Sequence, residues 1–144
     1  MILITQLTDA EKPALKAFSA REWPSADREH FGDTAQLDWS KPTITLAAKA
    51  DEDIVGYITI ELDMGVIYME SLIVAESHRG QGIARQLVTA AEEWGRSKGA
   101  HKISLETGAN WKAKDFYLKL GYAIRAELPD YYAHRDYVLM DKDL

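Results

Sequence analysis

Between residues 43 and 74 the apolar side chains fall into three short runs divided by tight polar turns. TITLAAKA (43–50), IVGYITIEL (54–62) and VIYMESLIV (66–74) read as strands, separated by Asp51-Glu52-Asp53 and Asp63-Met64-Gly65. Links this short join antiparallel neighbours, so the stretch is predicted to be a meander. The third run is apolar on both faces, which places it inside a sheet rather than at its edge. From Ile83 the period lengthens: Ile83, Leu87, Val88, Ala91 and Trp94 share one face of a helix, and Gly99 stops it. A short strand (101–106) follows. Strand, helix, strand in this order is a βαβ unit, so 66–74 and 101–106 are predicted to be parallel with a right-handed crossover. Asn110 is placed to cap a short helix whose Ala113, Phe116, Tyr117 and Leu120 share a face, and Gly121 ends it. Runs 122–128 and 135–140 close the chain as an antiparallel pair around Pro129-Asp130-Tyr131-Tyr132.

Upstream, residues 2–7 read as a first strand. Thr8, with Glu11 three residues on, has the spacing of a capping box. A helix is expected to about Trp23, an interruption at Pro24 and Ser25, and a second helical segment from Ala26 towards Leu37. Arg21, Trp23, His30, Phe31 and Trp39 lie here; aromatic residues on short helices are expected in the core, with substrate contact the alternative. His30 has no partner nearby in sequence, so no metal role is expected. Together these elements predict one α+β domain over residues 1–144. Its sheet is mixed and mostly antiparallel, with one parallel pair and about four flanking helices.

The link between run 66–74 and the Ile83 helix carries the first chemical signal. Arg79-Gly80-Gln81-Gly82-Ile83-Ala84 ends a strand and opens a helix, leaving backbone N–H groups exposed at the positive end of the helix dipole. Arg79 and Arg85 add fixed charge, so the link is expected to bind phosphate; the alternative is a glycine-rich turn capping an ordinary helix. A P-loop needs Gly-Lys-Ser/Thr where Gly82 is followed by Ile83, and a dinucleotide fingerprint needs a small residue where Arg85 stands. The pattern Arg-x-x-Gly-x-Ala (Arg79, Gly82, Ala84) instead resembles the acetyl-CoA pyrophosphate loop of the GNAT superfamily of N-acetyltransferases. A second stretch, Asn110-x-x-Ala113-x-x-Phe116-Tyr117-x-x-x-Gly121-Tyr122, resembles a downstream motif of the same family. The order of strands and helices also matches.

That resemblance implies transfer of an acyl group from acetyl-CoA, as co-substrate, to an amine. It further implies that the parallel strands splay apart to take the pantetheine arm. The backbone of Leu72, Ile73 and Val74 is then expected to hold that arm, Gly80 to Arg85 the pyrophosphate, and Asn110 the pantetheine end. Tyr117 stands where the family donates a proton to the departing thiolate; the alternative is a core aromatic beside Ala113 and Phe116. For the base, Glu70, of the same parity as Leu72 and Val74, and Glu106, at the end of 101–106, are equal candidates beside a water-only mechanism. Tyr131, Tyr132 and His134 are further candidates in the last loop.

Composition narrows the partners. Residues 1–70 hold 13 acidic and 6 basic side chains, and residues 71–144 hold 10 and 11, for a net charge of −6. Such a balance repels nucleic acid and suits a small cationic amine. Without cysteine there is no thiol nucleophile to carry the acetyl group and no thiolate metal site. No run reaches the length of a membrane span and no leader pattern opens the chain, so a cytoplasmic protein is expected, as a monomer or a homodimer. Two other activities fit the same fold: acetylation of protein amino groups, and a non-catalytic CoA-binding sensor. A hydrolase is disfavoured, since no water-activating dyad is evident.

Overall fold

The computed structural model describes residues 1–33 and 37–144. The chain divides into two units, Met1–Asp38 and Trp39–Leu144. The larger unit is a six-stranded sheet in the order β1-β2-β3-β4-β6-β5. Its strands are β1 (Thr43–Ala50), β2 (Asp53–Asp63), β3 (Val66–Val74), β4 (Lys102–Gly108), β5 (Ala123–Leu128) and β6 (Tyr137–Asp143). As the hydrophobic pattern predicts, β1, β2 and β3 form an antiparallel meander and β3 runs parallel to β4.

Two helices cover one face, α2 (Ile83–Ser97) and α3 (Lys112–Lys119). Their placement follows from the alternation of β3. Ile67 points at α2, where a Cβ on Gly95 would strike its Cδ1, and Met69 points at Tyr117 of α3. Ile58, Ile60, Ile67, Val88, Ile103, Leu105 and Met140 fill the layer between sheet and helices. Glu92 is the buried charge of this layer. It accepts the Tyr122 hydroxyl at 3.0 Å and Lys142 Nζ at 3.0 and 3.1 Å, tying α2 to the residue before β5 and to β6. A buried carboxylate needs such partners.

Strand β3 is irregular in two places. Its register with β2 shifts between Thr59↔Ser71 and Ile60↔Met69, leaving Glu70 as a bulge with no partner on β2. Parity therefore does not carry through: Glu70 is exposed and Val74 buried, contrary to the common face expected for them. In addition, β3 pairs with β4 only through Val66↔Lys102, Ile67↔Ile103 and Tyr68↔Ser104. Beyond that point the two strands separate.

The final strand is displaced from the expected 135–140. Charged Asp141 and Asp143 belong to it through their pairing with Ser104 and Lys102 of β4, and Lys102 Nζ lies 3.5 and 2.8 Å from their carboxylates. Asn110 does not cap α3; Trp111 holds that position with an extended backbone (φ −86°, ψ 148°) and no side-chain cap.

In the smaller unit, residues 2–7 form no strand, since an apolar run becomes a strand only where a partner supplies its hydrogen bonds. Glu11 does reach back to Thr8 N at 2.8 Å, opening a 3-10 turn that leads into α1 (Lys12–Phe31). That helix runs through Pro24, whose fixed φ is helical and which forfeits one backbone bond. It stops at Gly32 (φ 73°), short of the expected Leu37; residues 34–36 of that expectation lie outside the described residues. Within this unit no residue of α1 is buried. Among the described residues no helix is long and apolar enough to cross a membrane.

Candidate active site

Where β3 and β4 part, a cleft of about 430 Å³ opens through the sheet. Its walls come from both faces. Met69, Leu105 and Tyr117 line it from the helix side, and Glu106, one residue after Leu105, lines it from the other side. Glu70 lies at its rim, exposed on the bulge. Among the described residues no Lys, Arg or His lines it.

The backbone of β3 on the cleft side follows from register. Ala75 N–H donates to Val55 O at 2.8 Å, so Val55 and Ala75 are a hydrogen-bonded pair. Antiparallel pairs alternate, hence Ile73 bonds Tyr57 while Leu72 and Val74, opposite Ile58 and Gly56, turn their N–H and C=O away from β2, the Val74 carbonyl being taken by Arg79 Nε at 3.1 Å. Of the three residues expected to offer backbone groups, Ile73 thus has its own engaged with β2.

Tyr117 is 6% exposed and donates its hydroxyl to Met69 Sδ at 3.3 Å. A thioether is a weak acceptor, so the phenol is buried without a strong partner. Burial pushes its pKa up to about 12, which keeps it protonated at neutral pH. Both Phe116 and Tyr122 meet the ring edge-on, at 5.1 and 5.5 Å. On the opposite face Glu106 Oε2 accepts two phenols, Tyr68 at 2.9 Å and Tyr132 at 3.2 Å. Burial first, and then the bond to Glu106, holds the Tyr68 hydroxyl well above the usual phenol range. Tyr132 is raised chiefly by the Glu106 charge.

A second cavity of about 440 Å³ lies against the glycine link, lined by Val74, Arg79, Gly80, Gly82, Ile83 and Arg85 among others. Gly80 and Gly82 are left-handed (φ 74° and 79°), and a Cβ on either would meet nothing within 4 Å. Backbone conformation, not space, therefore demands glycine. Gly82 is the N-cap of α2 with no side-chain cap, and the first helical bond is Gln86 N to Gly82 O at 3.1 Å. The N–H groups of Ile83, Ala84 and Arg85 are left to a ligand or water. Arg79 turns back, its Nε donating to Val74 O at 3.1 Å, and so fastens the link to the end of β3. Gln81 is exposed in the loop and outside the cavity lining.

The site therefore joins a basic pocket at a helix N-terminus to an acidic cleft through the sheet, with Val74 and Leu72 on the path between them. This donor set fits acetyl-CoA: uncapped amides for a pyrophosphate, the Leu72 backbone and Val74 N–H turned away from β2 for an amide-bearing arm, and a phenol buried at its end. Asn110 stands apart, lining a different cavity of about 330 Å³ with Lys114, Glu127 and Asp136. Tyr68 was not legible as a site residue: only its pairing with Ser104, two residues before Glu106, brings it to the carboxylate.

Comparison with known proteins agrees with this geometry. Residues 8–122 match the model of the Acetyltransferase (GNAT) family. An uncharacterised N-acetyltransferase of Methanocaldococcus jannaschii is 35% identical over 108 residues, 72% of this chain and 69% of that protein. The aminoglycoside N(6′)-acetyltransferase type 1 of Salmonella typhimurium is 25% identical over 59% of this chain, and the match spans 66% of that enzyme's length. Among solved structures, an acetyltransferase from Bacillus cereus superposes with a TM-score of 0.78 at 24% identity, covering 99% of this chain and 98% of that one. A putative streptothricin acetyltransferase from Bacillus anthracis in complex with acetyl coenzyme A superposes with a TM-score of 0.67 at 23% identity, covering 76% and 69%. The chain belongs to the GNAT acetyltransferase family.

Proposed function

We propose that this chain moves the acetyl group of acetyl-CoA directly onto a primary amine of a small cationic molecule, with residues 1–144 acting as one domain. The observation that carries the reading is the charge-sorted passage. Arg79 and Arg85 mark one end; Glu70 and Glu106 mark the other, with Tyr117 buried between the faces. Amides at the start of α2 hold the pyrophosphate, and Leu72 and Val74 hold the arm. Bound there, acetyl-CoA supplies a thioester carbonyl that accepts a nitrogen and releases a thiol. Glu106 takes the amine proton through water as the C–N bond forms, and Tyr117 donates to the departing sulfur as the C–S bond breaks. Two phenol bonds favour Glu106 over Glu70, because they fix its carboxylate within the cleft. Absence of cysteine supports direct transfer over an acetylated thiol enzyme.

Relatives named for aminoglycosides and streptothricin support a polycationic acceptor. A second reading, acetylation of protein amino termini, is favoured by 38% identity over 66 residues to N-alpha-acetyltransferase 30 of Schizosaccharomyces pombe. Thiol release from acetyl-CoA, followed with kanamycin, streptothricin, spermidine and a peptide with a free amino terminus, tests both. Release with the polycations alone fits the proposal, and release with the peptide alone supports the second reading. Release without any amine, or acetyl-CoA binding without release in the whole panel, contradicts both.

A further inference from the structure

Tyr132 reaches Glu106 from a loop that holds itself in strained backbone. Between β5 and β6, Asp130, Ala133 and His134 are non-glycine residues with φ of 48°, 53° and 56°. Such conformations persist only where the surroundings enforce them. Here Asp130 N–H donates to Asp136 Oδ1 at 2.9 Å and Tyr131 N–H to Arg135 O at 2.8 Å, and His134 Nδ1 lies 2.8 Å from Asp130 Oδ1. The Tyr132 ring is seated edge-on between Tyr131 and Tyr137, at 4.5 and 5.1 Å. All of this delivers one hydroxyl to one atom, Glu106 Oε2. Tyr68, from β3, donates to the same oxygen. Among the described residues no hydrogen bond reaches Oε1. Two donors converging on one oxygen restrict rotation of the carboxylate and present the other oxygen to whatever occupies the cleft.

We infer that Tyr68 and Tyr132 are positioning residues for the acceptor amine, pinning Glu106 through Oε2 so that Oε1 receives the amine proton. The inference rests on the reading of Glu106 as base. Tyr132 further makes that geometry depend on the β5–β6 loop that carries it.

Four variants test it: Tyr132→Phe, Tyr68→Phe, Glu106→Gln, and Tyr132→Phe combined with Glu106→Gln. Thiol release is followed with kanamycin and spermidine as acceptor probes at saturating acetyl-CoA, beside acetyl-CoA Kd and thermal midpoint. Tyr132→Phe and Tyr68→Phe each lower kcat/KM for the amine about tenfold, the kinetic equivalent of one hydrogen bond to a charged group. Acetyl-CoA Kd stays within about twofold, since its holders lie elsewhere. In the Glu106→Gln background, Tyr132→Phe causes no further loss. The 13C carboxyl resonance of Glu106, which needs no acceptor, moves in both Tyr variants. A Tyr132→Phe loss of full size in the Glu106→Gln background, or an unmoved carboxyl resonance, overturns the inference. Unchanged turnover in Glu106→Gln instead overturns the reading of Glu106 as base, and the resonance alone then decides the pinning.

Discussion

Replacing Tyr117 by Phe keeps the ring, its packing and its edge-on contacts with Phe116 and Tyr122, and deletes one hydroxyl. The structure sets two very different magnitudes for that deletion. The hydroxyl's partner is Met69 Sδ at 3.3 Å, a weak acceptor that suffers little when left alone. Stability is therefore expected to change by less than about 1 kcal/mol, or a few degrees in thermal midpoint. Turnover is another matter, since a positioned general acid contributes about 10²–10⁴-fold. The variant is expected to lose at least about 100-fold in kcat while acetyl-CoA Kd is unchanged. The assay is steady-state thiol release with an accepted amine, beside acetyl-CoA titration and a thermal melt on the same preparations. A folded Tyr117→Phe protein with near wild-type kcat, under conditions where chemistry limits the rate, refutes the role. Tyr117 would then be a core aromatic, and water the donor to sulfur.

The other consequences are as direct. Gly82→Val forces a β-branched residue into φ 79° at the mouth of α2, and acetyl-CoA affinity is expected to fall at least about tenfold with the circular dichroism unchanged; wild-type affinity in a folded variant counts against the pyrophosphate site. Lys142→Met strips Nζ from the buried Glu92, leaving the Tyr122 hydroxyl and Arg96 Nη2 at 3.7 Å, and is expected to cost about 3 kcal/mol in urea unfolding. A loss under about 1 kcal/mol would show that Glu92 does not depend on it. Alkaline pH acts through the buried phenols. Tyr117 titrates at about 12 in the folded chain, and Tyr68 and Tyr122 are also raised, so the native state binds those protons more tightly than the unfolded chain. Their contribution is fully present below about pH 10, the ordinary phenol value, and declines as pH rises through 12. Denaturation midpoints that stay flat or rise from about pH 9.5 to about 11.5 contradict this.

Elements fixed by local pattern were legible in the sequence. The bounds of β1, β3 and the start of α2 follow from short apolar runs, tight turns and a glycine-rich link, all of them neighbours in the chain. What depends on partners was not. Residues 2–7 have a strand's composition but no strand's bonds, and Asp141 and Asp143 join β6 through backbone pairing with Ser104 and Lys102 of β4. The bulge at Glu70 breaks a parity argument that no single strand can reveal. In the site, Tyr117 and the loop Gly80–Gly82 could be read because each sits in a short motif. The convergence on Glu106 could not, because Tyr68 and Tyr132 lie 38 and 26 residues away and meet it only through sheet register and a folded loop.

The central claim is that acetyl-CoA lies in the opening between β3 and β4, held by the edge of β3. Residue-resolved amide hydrogen exchange of the whole chain, with and without saturating acetyl-CoA, addresses it directly. Leu72 and Val74 turn their N–H groups away from β2, whereas Ile73 is already engaged with Tyr57. The account predicts that acetyl-CoA slows exchange at Leu72 and Val74, and at the uncapped amides of Ile83 to Arg85, while Ile73 changes least of the three β3 residues. Bound acetyl-CoA that leaves Leu72 and Val74 exchanging as they do in the free protein would contradict it.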